Sequence, residues 1–210
     1  MPRTEPFEGH TERYESWFER NPLAYESEVL ALRQMLPPGR GLEVGVGSGR
    51  FAAPLGIARG VEPSERMRLL ARQRGVDAID GVAERLPFPE ESFDVVLMVT
   101  TICFVDDLPG SLNEANRVLR ARGHLVIGFI DRESLLGREY EAHRAANVFY
   151  REATFFSARE VSDRVRQARF GHLRFRQTIF TPLDEIAAIQ PSRPGHGAGA
   201  FVVVRAERDA

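Results

Sequence analysis

The chain has 210 residues, with 43% apolar and 28% charged side chains, the profile of one ordinary globular domain and not of a fibrous or disordered chain. Its formal charge of -2 and pI near 6.2 exclude the broad basic field that holds a nucleic-acid backbone. All 28 basic residues are arginine, which removes a Schiff-base lysine and the lysine of a phosphate-binding P-loop.

At the amino terminus, residues 1–5 lack the apolar core of a secretion signal, and no apolar run approaches the roughly 20 residues needed to span a bilayer. Cytoplasm is the expected location, with no membrane partner. Arg13-Tyr14 and Trp17-Phe18 form an aromatic segment that reads either as a lid or as a helix burying its rings in the core. Tyr25, Val29, Leu32 and Leu36 recur at helical spacing, and Pro37-Pro38-Gly39 stops that helix. Residues 1–38 are therefore expected to form a helical N-terminal cap.

Strand and helix signals then alternate, the pattern of a parallel sheet with helices on both faces. Leu42 to Gly45 is the first strand and Ile57 to Glu62 the second. Ser64 caps a helix ending near Gly75, Val76 to Ile79 is the third strand, and Phe93 to Val99 the fourth. The run Val95 to Val99 is apolar at every position, as a central strand covered on both faces must be. Cys103, the sole cysteine, excludes an intrachain disulfide; its apolar surroundings predict a buried, inert thiol.

A helix through Leu112 to Leu119 leads to a fifth strand, His124 to Ile130, and residues 131–156 form an insertion carrying Tyr140, His143, Phe149, Tyr150 and Phe155. Ser157 and Glu160 have the spacing of a capping box. Leu173 to Thr181 and Ala200 to Arg205 are the last two strands, with Gly195, Gly197 and Gly199 suited to a turn between them. The histidines, at 10, 124, 143, 172 and 196, show no metal-ligand spacing, so no metal is predicted. Asp94, at a strand start, and Arg117, in the last turn of a helix, read as structural.

The segment Glu43-Val44-Gly45-Val46-Gly47-Ser48-Gly49 places an acid at a strand end before a glycine-rich turn. The dinucleotide fingerprint G-x-G-x-x-G needs a third glycine where Arg50 stands. Glu43 would also repel a phosphate that a helix N-terminus would otherwise attract, and would welcome a cation. S-adenosylmethionine fits that balance, since it has adenosine, no phosphate, an ammonium and a sulfonium. For this motif alone, a tight turn with an exposed acid is the plainer alternative.

Four ordered motifs then resemble the class I S-adenosylmethionine-dependent methyltransferases, in the broad small-molecule group that includes quinone-biosynthesis methyltransferases. They are Glu43 to Gly49; Val61-Glu62-Pro63-Ser64 with Met67; Gly81 to Phe88 followed by Ser92-Phe93-Asp94; and Glu114 to Leu119 before Gly123. The resemblance implies an α/β fold: a doubly wound, Rossmann-like, seven-stranded sheet of order 3-2-1-4-5-7-6 with strand 7 antiparallel. It implies a single domain over 1–210, with a cofactor-binding core over 39–130, a cap insertion over 131–156, and a helix and strands over 157–210. It further implies that Gly45, Val46 and Gly47 approach the methionyl part and that Glu43 helps hold its ammonium. Glu62 would accept both ribose hydroxyls, Pro63 and Met67 would flank the adenine, and Ala83, with Gly81 and Val82, would meet its edge. Thr100 and Phe104 would line the pocket near the methyl. Two departures stand out: Val82 where many relatives have aspartate, and Ala121-Arg122-Gly123-His124 where many have Pro-Gly-Gly.

The expected reaction is in-line methyl transfer to a compact, planar small-molecule acceptor, achieved mostly by alignment. No catalytic residue is assigned by a motif. Tyr14, Tyr140, His143 and Tyr150 are the candidates for moving an acceptor proton, because the cap and insertion should cover the cofactor. Two other readings stand beside this one: a regulatory protein that binds the cofactor without turnover, and an NAD-dependent oxidoreductase. Acceptor identity and oligomeric state have no readable signal.

Overall fold

The computed structural model describes residues 4–209. The expected domain over 1–210 and the cap over 1–38 both reach past those limits, and residues 1–3 and 210 lie outside the described residues. Five strands run parallel: β1 (Gly41–Val44), β2 (Arg59–Val61), β3 (Asp77–Ile79), β4 (Phe93–Val99) and β5 (Leu119–Ile130). With β6 (Phe170–Thr178), β7 (Arg193–Pro194) and β8 (Phe201–Arg208), they make one sheet of order β3-β2-β1-β4-β5-β8-β6-β7. β8 is antiparallel both to β5 and to β6.

The sheet thus has one strand more than the seven expected. The addition is β7, which pairs Pro194 with Arg176 and Arg193 with Gln177 at the outer edge of β6. A proline has no amide to donate, so this pairing can only be an edge. Setting β7 aside, the last long strand takes the seventh place and the antiparallel expectation holds.

Side chains of β4 alternate with the pleat. Val95, Leu97 and Val99 join one buried cluster, while Val96 and Met98 join the other. The first cluster is covered by α3 (Pro22–Met35), α4 (Ala52–Leu55) and α5 (Glu65–Gln73), and the second by α6 (Leu108–Val118) and α8 (Ala158–Gln167). Burial on both faces is why β4 carries no polar alternation.

Local signals set most boundaries. Ser64 accepts the Met67 amide at 3.2 Å, and Ser157 and Glu160 form the reciprocal capping box that opens α8. Helix α6 begins at Leu108, earlier than the spacing suggested, because Asp107 caps it and Pro109 suits its first turn. Asp94 accepts the Arg40 amide at 2.7 Å and pairs with Arg120 at 3.0 Å. Arg117 bonds Glu114 and the carbonyls of Leu86 and Phe88. In the turn before His124 the left-handed position falls on Arg122, with φ 62°, and a Cβ at Gly123 would lie 2.8 Å from the Arg120 carbonyl oxygen.

Two short helices, α1 (Glu5–Gly9) and α2 (Thr11–Arg20), precede α3, and Arg66 of α5 ties α1 down by donating to the Glu8 carbonyl at 3.1 Å. The insertion holds α7 (Leu135–Ala142) and a single 3-10 turn at Arg144–Ala146. Among the described residues no helix is long and apolar enough to cross a membrane.

Candidate active site

The carboxyl ends of β1, β2 and β4 open on a pocket. After β1 the chain turns through Gly45, with φ 68°, where a Cβ would lie 2.4 Å from the Thr101 methyl carbon. Thr101 itself donates to the Val44 carbonyl at 3.0 Å, so loop and post-β4 segment are fastened together. Glu62, at the end of β2, accepts the Gly47 amide at 3.0 Å on Oε2 and the Ser64 amide at 2.9 Å on Oε1. Burial pushes its carboxyl above the usual range against the pull of those amides.

All the expected cofactor contacts except two line this pocket: Gly45, Gly47, Glu62, Pro63, Met67, Gly81, Val82, Ala83, Thr100 and Phe104. Val46 instead turns into the core, against Gly60 of β2. Glu43 lies beneath the loop, 1% exposed, so it is not the exposed acid of the plainer alternative. Its carboxyl takes the Ala52 amide, its Oε2 has no partner among the described residues, and burial raises its pKa well above the ordinary value. Glu84 and Asp106 add acidity to the lining, which among the described residues contains no arginine or histidine. Such a wall favours a cation and opposes a phosphate.

A second cavity, of about 420 Å³, adjoins the first and shares Phe7, Tyr14, Thr100 and Phe104 with it. That volume is in the range of small-ligand sites. Its walls come from α2, α3 and the insertion, and its rings touch: Phe7 and Phe104 at 5.1 Å between centroids, Tyr140 and Tyr150 at 4.9 Å. Phe18 belongs both to the core and to this wall, so the two readings of the aromatic segment meet in one residue. Between the cavities, Thr100 sits at φ 50°, a strained setting for a β-branched residue, with its backbone N–H donating to the Gly128 carbonyl at 2.7 Å.

Of the proton-transfer candidates, Tyr14, Tyr140 and Tyr150 line the second cavity. Burial pushes all three phenols up, Tyr140 to about 12, and nearby carboxylates raise Tyr14 further. They stay protonated at neutral pH, with hydroxyls able to donate. His143 is exposed beyond α7 with Nδ1 against the Glu139 carbonyl, and it lines neither cavity. Cys103 is half-buried with its thiol donating to the Thr100 carbonyl, which corrects the expectation of full burial. It follows the end of β4, where the chain has left the sheet.

Glu28 is the residue that motif reading missed. It lines the aromatic cavity, 5% exposed, with no hydrogen bond or ion pair among the described residues. The signal was its position between Tyr25 and Val29 on the apolar face of a helix, where an acid has no structural reason to be.

A latch joins the amino-terminal helices to the glycine loop. Glu15 of α2 accepts from Arg50 Nε at 3.0 Å and Nη2 at 2.6 Å, and also pairs with Arg74, whose Nη1 donates to the Ser48 carbonyl at 2.8 Å. The Tyr25 hydroxyl donates to the Arg50 carbonyl, and the Arg50 guanidinium stands 5.1 Å from the Phe18 ring centroid. Glu15→Ala should lower stability by about 2 kcal/mol and speed proteolytic cleavage within residues 4–21, as expected for losing partly buried charge-assisted bonds. Unchanged cleavage kinetics would contradict the latch.

Comparison with known proteins gives concordant results. A family model described as a methyltransferase domain matches residues 42–127. An uncharacterized protein of Methanocaldococcus jannaschii is 40% identical over 202 residues, covering 96% of this chain and 98% of that protein. A solved Thermotoga maritima structure, described as a SAM-dependent methyltransferase and possible histamine N-methyltransferase, shares 50% identity over 98% of this chain and 100% of that one, with a TM-score of 0.97. A demethylmenaquinone methyltransferase of Tropheryma whipplei is 39% identical over only 95 residues, 41% of this chain and 39% of that protein.

Proposed function

The chain belongs to the class I S-adenosylmethionine-dependent methyltransferases, and on that premise we propose that it methylates a compact small molecule held in the aromatic cavity. The observation that carries this is the shared wall of Phe7, Tyr14, Thr100 and Phe104, which leaves two adjoining chambers, one acidic and one aromatic.

The residues present fit the cofactor. Glu62 gives one acceptor site on each oxygen to a backbone amide, which leaves a second site on each for a vicinal diol such as ribose. Pro63 and Met67 would flank the adenine, with Gly81, Val82 and the Ala83 amide at its edge; Val82 offers no side-chain bond there. The backbone of Gly45, Val46 and Gly47 would face the methionyl part, and Glu43, buried beneath the loop, would help hold its ammonium by charge across the loop and not by contact. The acidic lining takes support away from an NAD-dependent oxidoreductase.

S-adenosylmethionine, when bound, supplies a methyl group already activated by its sulfonium. The protein's part is then to align the acceptor at about 3 to 3.5 Å from that methyl and to exclude water. Thr100 and Phe104 border the point of transfer, Tyr14 can donate its hydroxyl across the shared wall, and the rings of α2 and the insertion enclose the acceptor. In this reading residues 1–38 and 131–156 act as the cover and 39–130 as the cofactor-binding core.

Titration calorimetry with S-adenosylhomocysteine, followed by isotopic methyl transfer over a panel of compact aromatic acceptors, tests the proposal. Binding with transfer to at least one acceptor is expected; NAD binding in place of S-adenosylhomocysteine, or binding without transfer to any acceptor, overturns it. Glu43→Gln should weaken S-adenosylhomocysteine binding far less than Glu43→Arg, because the second variant puts a fixed positive charge beside the ligand's ammonium. Equal losses would remove the electrostatic role of Glu43.

A further inference from the structure

We propose that the acceptor is a basic amine on a planar body, and that Glu28 both recognises its cationic nitrogen and takes the proton that must leave before methylation. This rests on methyl transfer at the site just described and adds to it an acceptor class and a proton acceptor.

Glu28 projects from α3 into the aromatic cavity with no bonded partner among the described residues. An acid left alone in such a place is costly unless something arrives to pair with it. The packing of α3 does not need it, since Val29, Ala31, Leu32 and Met35 supply the core contacts of that helix. Titratable and charged groups around it come from every neighbouring element: Tyr25 on its own helix, Arg13, Tyr14 and Arg20 from α2, Tyr140 from α7, and Tyr150 from the segment after it. The two arginines are exposed at the mouth, and Arg20 is turned to the Ser16 carbonyl at 3.2 Å. Among the described residues no cation pairs with Glu28, and burial alone lifts its carboxyl to about 8.

The chamber around this acid is built from Tyr14, Trp17, Phe18, Tyr140, Phe149 and Tyr150. Aromatic faces attract cations, and a carboxylate set among them makes a site for an ammonium. An alcohol of the same shape would gain nothing from the charge, and a carboxylate or phosphate would be repelled.

Proton movement follows from the same geometry. An ammonium has no free lone pair, so its N–H proton must pass to Glu28 before nitrogen can attack. The lone pair then forms the N–C bond while the C–S bond breaks, and that bonding pair stays on sulfur. The nitrogen, neutral after deprotonation, takes over the positive charge that sulfur gives up, and the proton on Glu28 leaves to solvent as the product departs. The buried phenols cannot substitute, since they hold their own protons.

The test uses the full chain saturated with S-adenosylhomocysteine and matched probes: 2-phenylethylamine, benzylamine and 2-(imidazol-4-yl)ethylamine, each against its alcohol. Calorimetry at pH 7 in two buffers of different ionisation enthalpy reads affinity and proton release together. At least one amine should bind about tenfold or more tightly than its alcohol and release up to about one proton, because Glu28 must ionise to pair with it. Glu28→Gln should erase both the preference and the release while leaving S-adenosylhomocysteine affinity within about twofold of wild type, which also reports that the variant is folded. Glu28→Met serves if the glutamine variant fails that check. Amines that bind no tighter than their alcohols, or a preference that survives in the variant, overturn the proposal. Loss of S-adenosylhomocysteine binding by the wild type would strike the underlying site instead.

Discussion

Replacing Glu28 with glutamine should stabilise the ligand-free protein, and the gain should widen as pH rises from about 4.5 to 8. The sign follows from linkage. In the unfolded chain this carboxyl ionises near its ordinary value of 4.5, whereas in the folded chain burial delays ionisation to about 8. Between those values the unfolded state releases a proton that the folded state keeps, so wild-type stability falls with rising pH. The accumulated loss is roughly 4 to 5 kcal/mol by pH 8 and is constant above it. Glutamine carries no such proton, and the neighbouring Arg13, Arg20 and tyrosines are common to both proteins. Urea unfolding at pH 5, 7 and 8.5 reads the difference directly. A gap of the same size at all three would mean that Glu28 is already solvated or paired.

Glu62→Ala should weaken S-adenosylmethionine binding by tens of fold, about 2 kcal/mol, as expected for losing charge-assisted hydrogen bonds. The variant also strands the Gly47 and Ser64 amides, which Glu62 now satisfies, so folding must be measured beside binding. A folded Glu62→Ala protein with wild-type affinity in calorimetry would end the ribose assignment. Glu62→Gln separates the two duties further. It preserves volume and one acceptor oxygen but turns an N–H toward an amide donor, so its binding loss should be accompanied by a lowered midpoint of unfolding.

Much of this was legible in the sequence because the responsible forces are local. The apolar run of β4, the Ser64 cap and the Ser157 capping box each fixed a boundary through neighbours a few residues away. The residues expected at the cofactor converge for a similar reason, since ten of them sit at the ends of successive strands or on the segments just after them and line one pocket. Glu43 and Val46 show the limit of that logic: Glu43 is buried against the Ala52 amide and Val46 packs against Gly60, so neither lines the pocket, which spacing on a turn does not reveal. β7 was invisible because a two-residue edge pairing has no periodicity to read. Glu28 escaped for another reason. Its meaning depends on α2, α3 and the insertion converging on one chamber, and that convergence is a long-range outcome with no signature along the chain.

Arg50 occupies the place where a dinucleotide turn would have its third glycine, and there it grips Glu15. The residue that unsuits the loop for pyrophosphate therefore also fastens α2 to it. A change at this one side chain is therefore felt on two elements at once, the glycine loop and the helix that carries Tyr14.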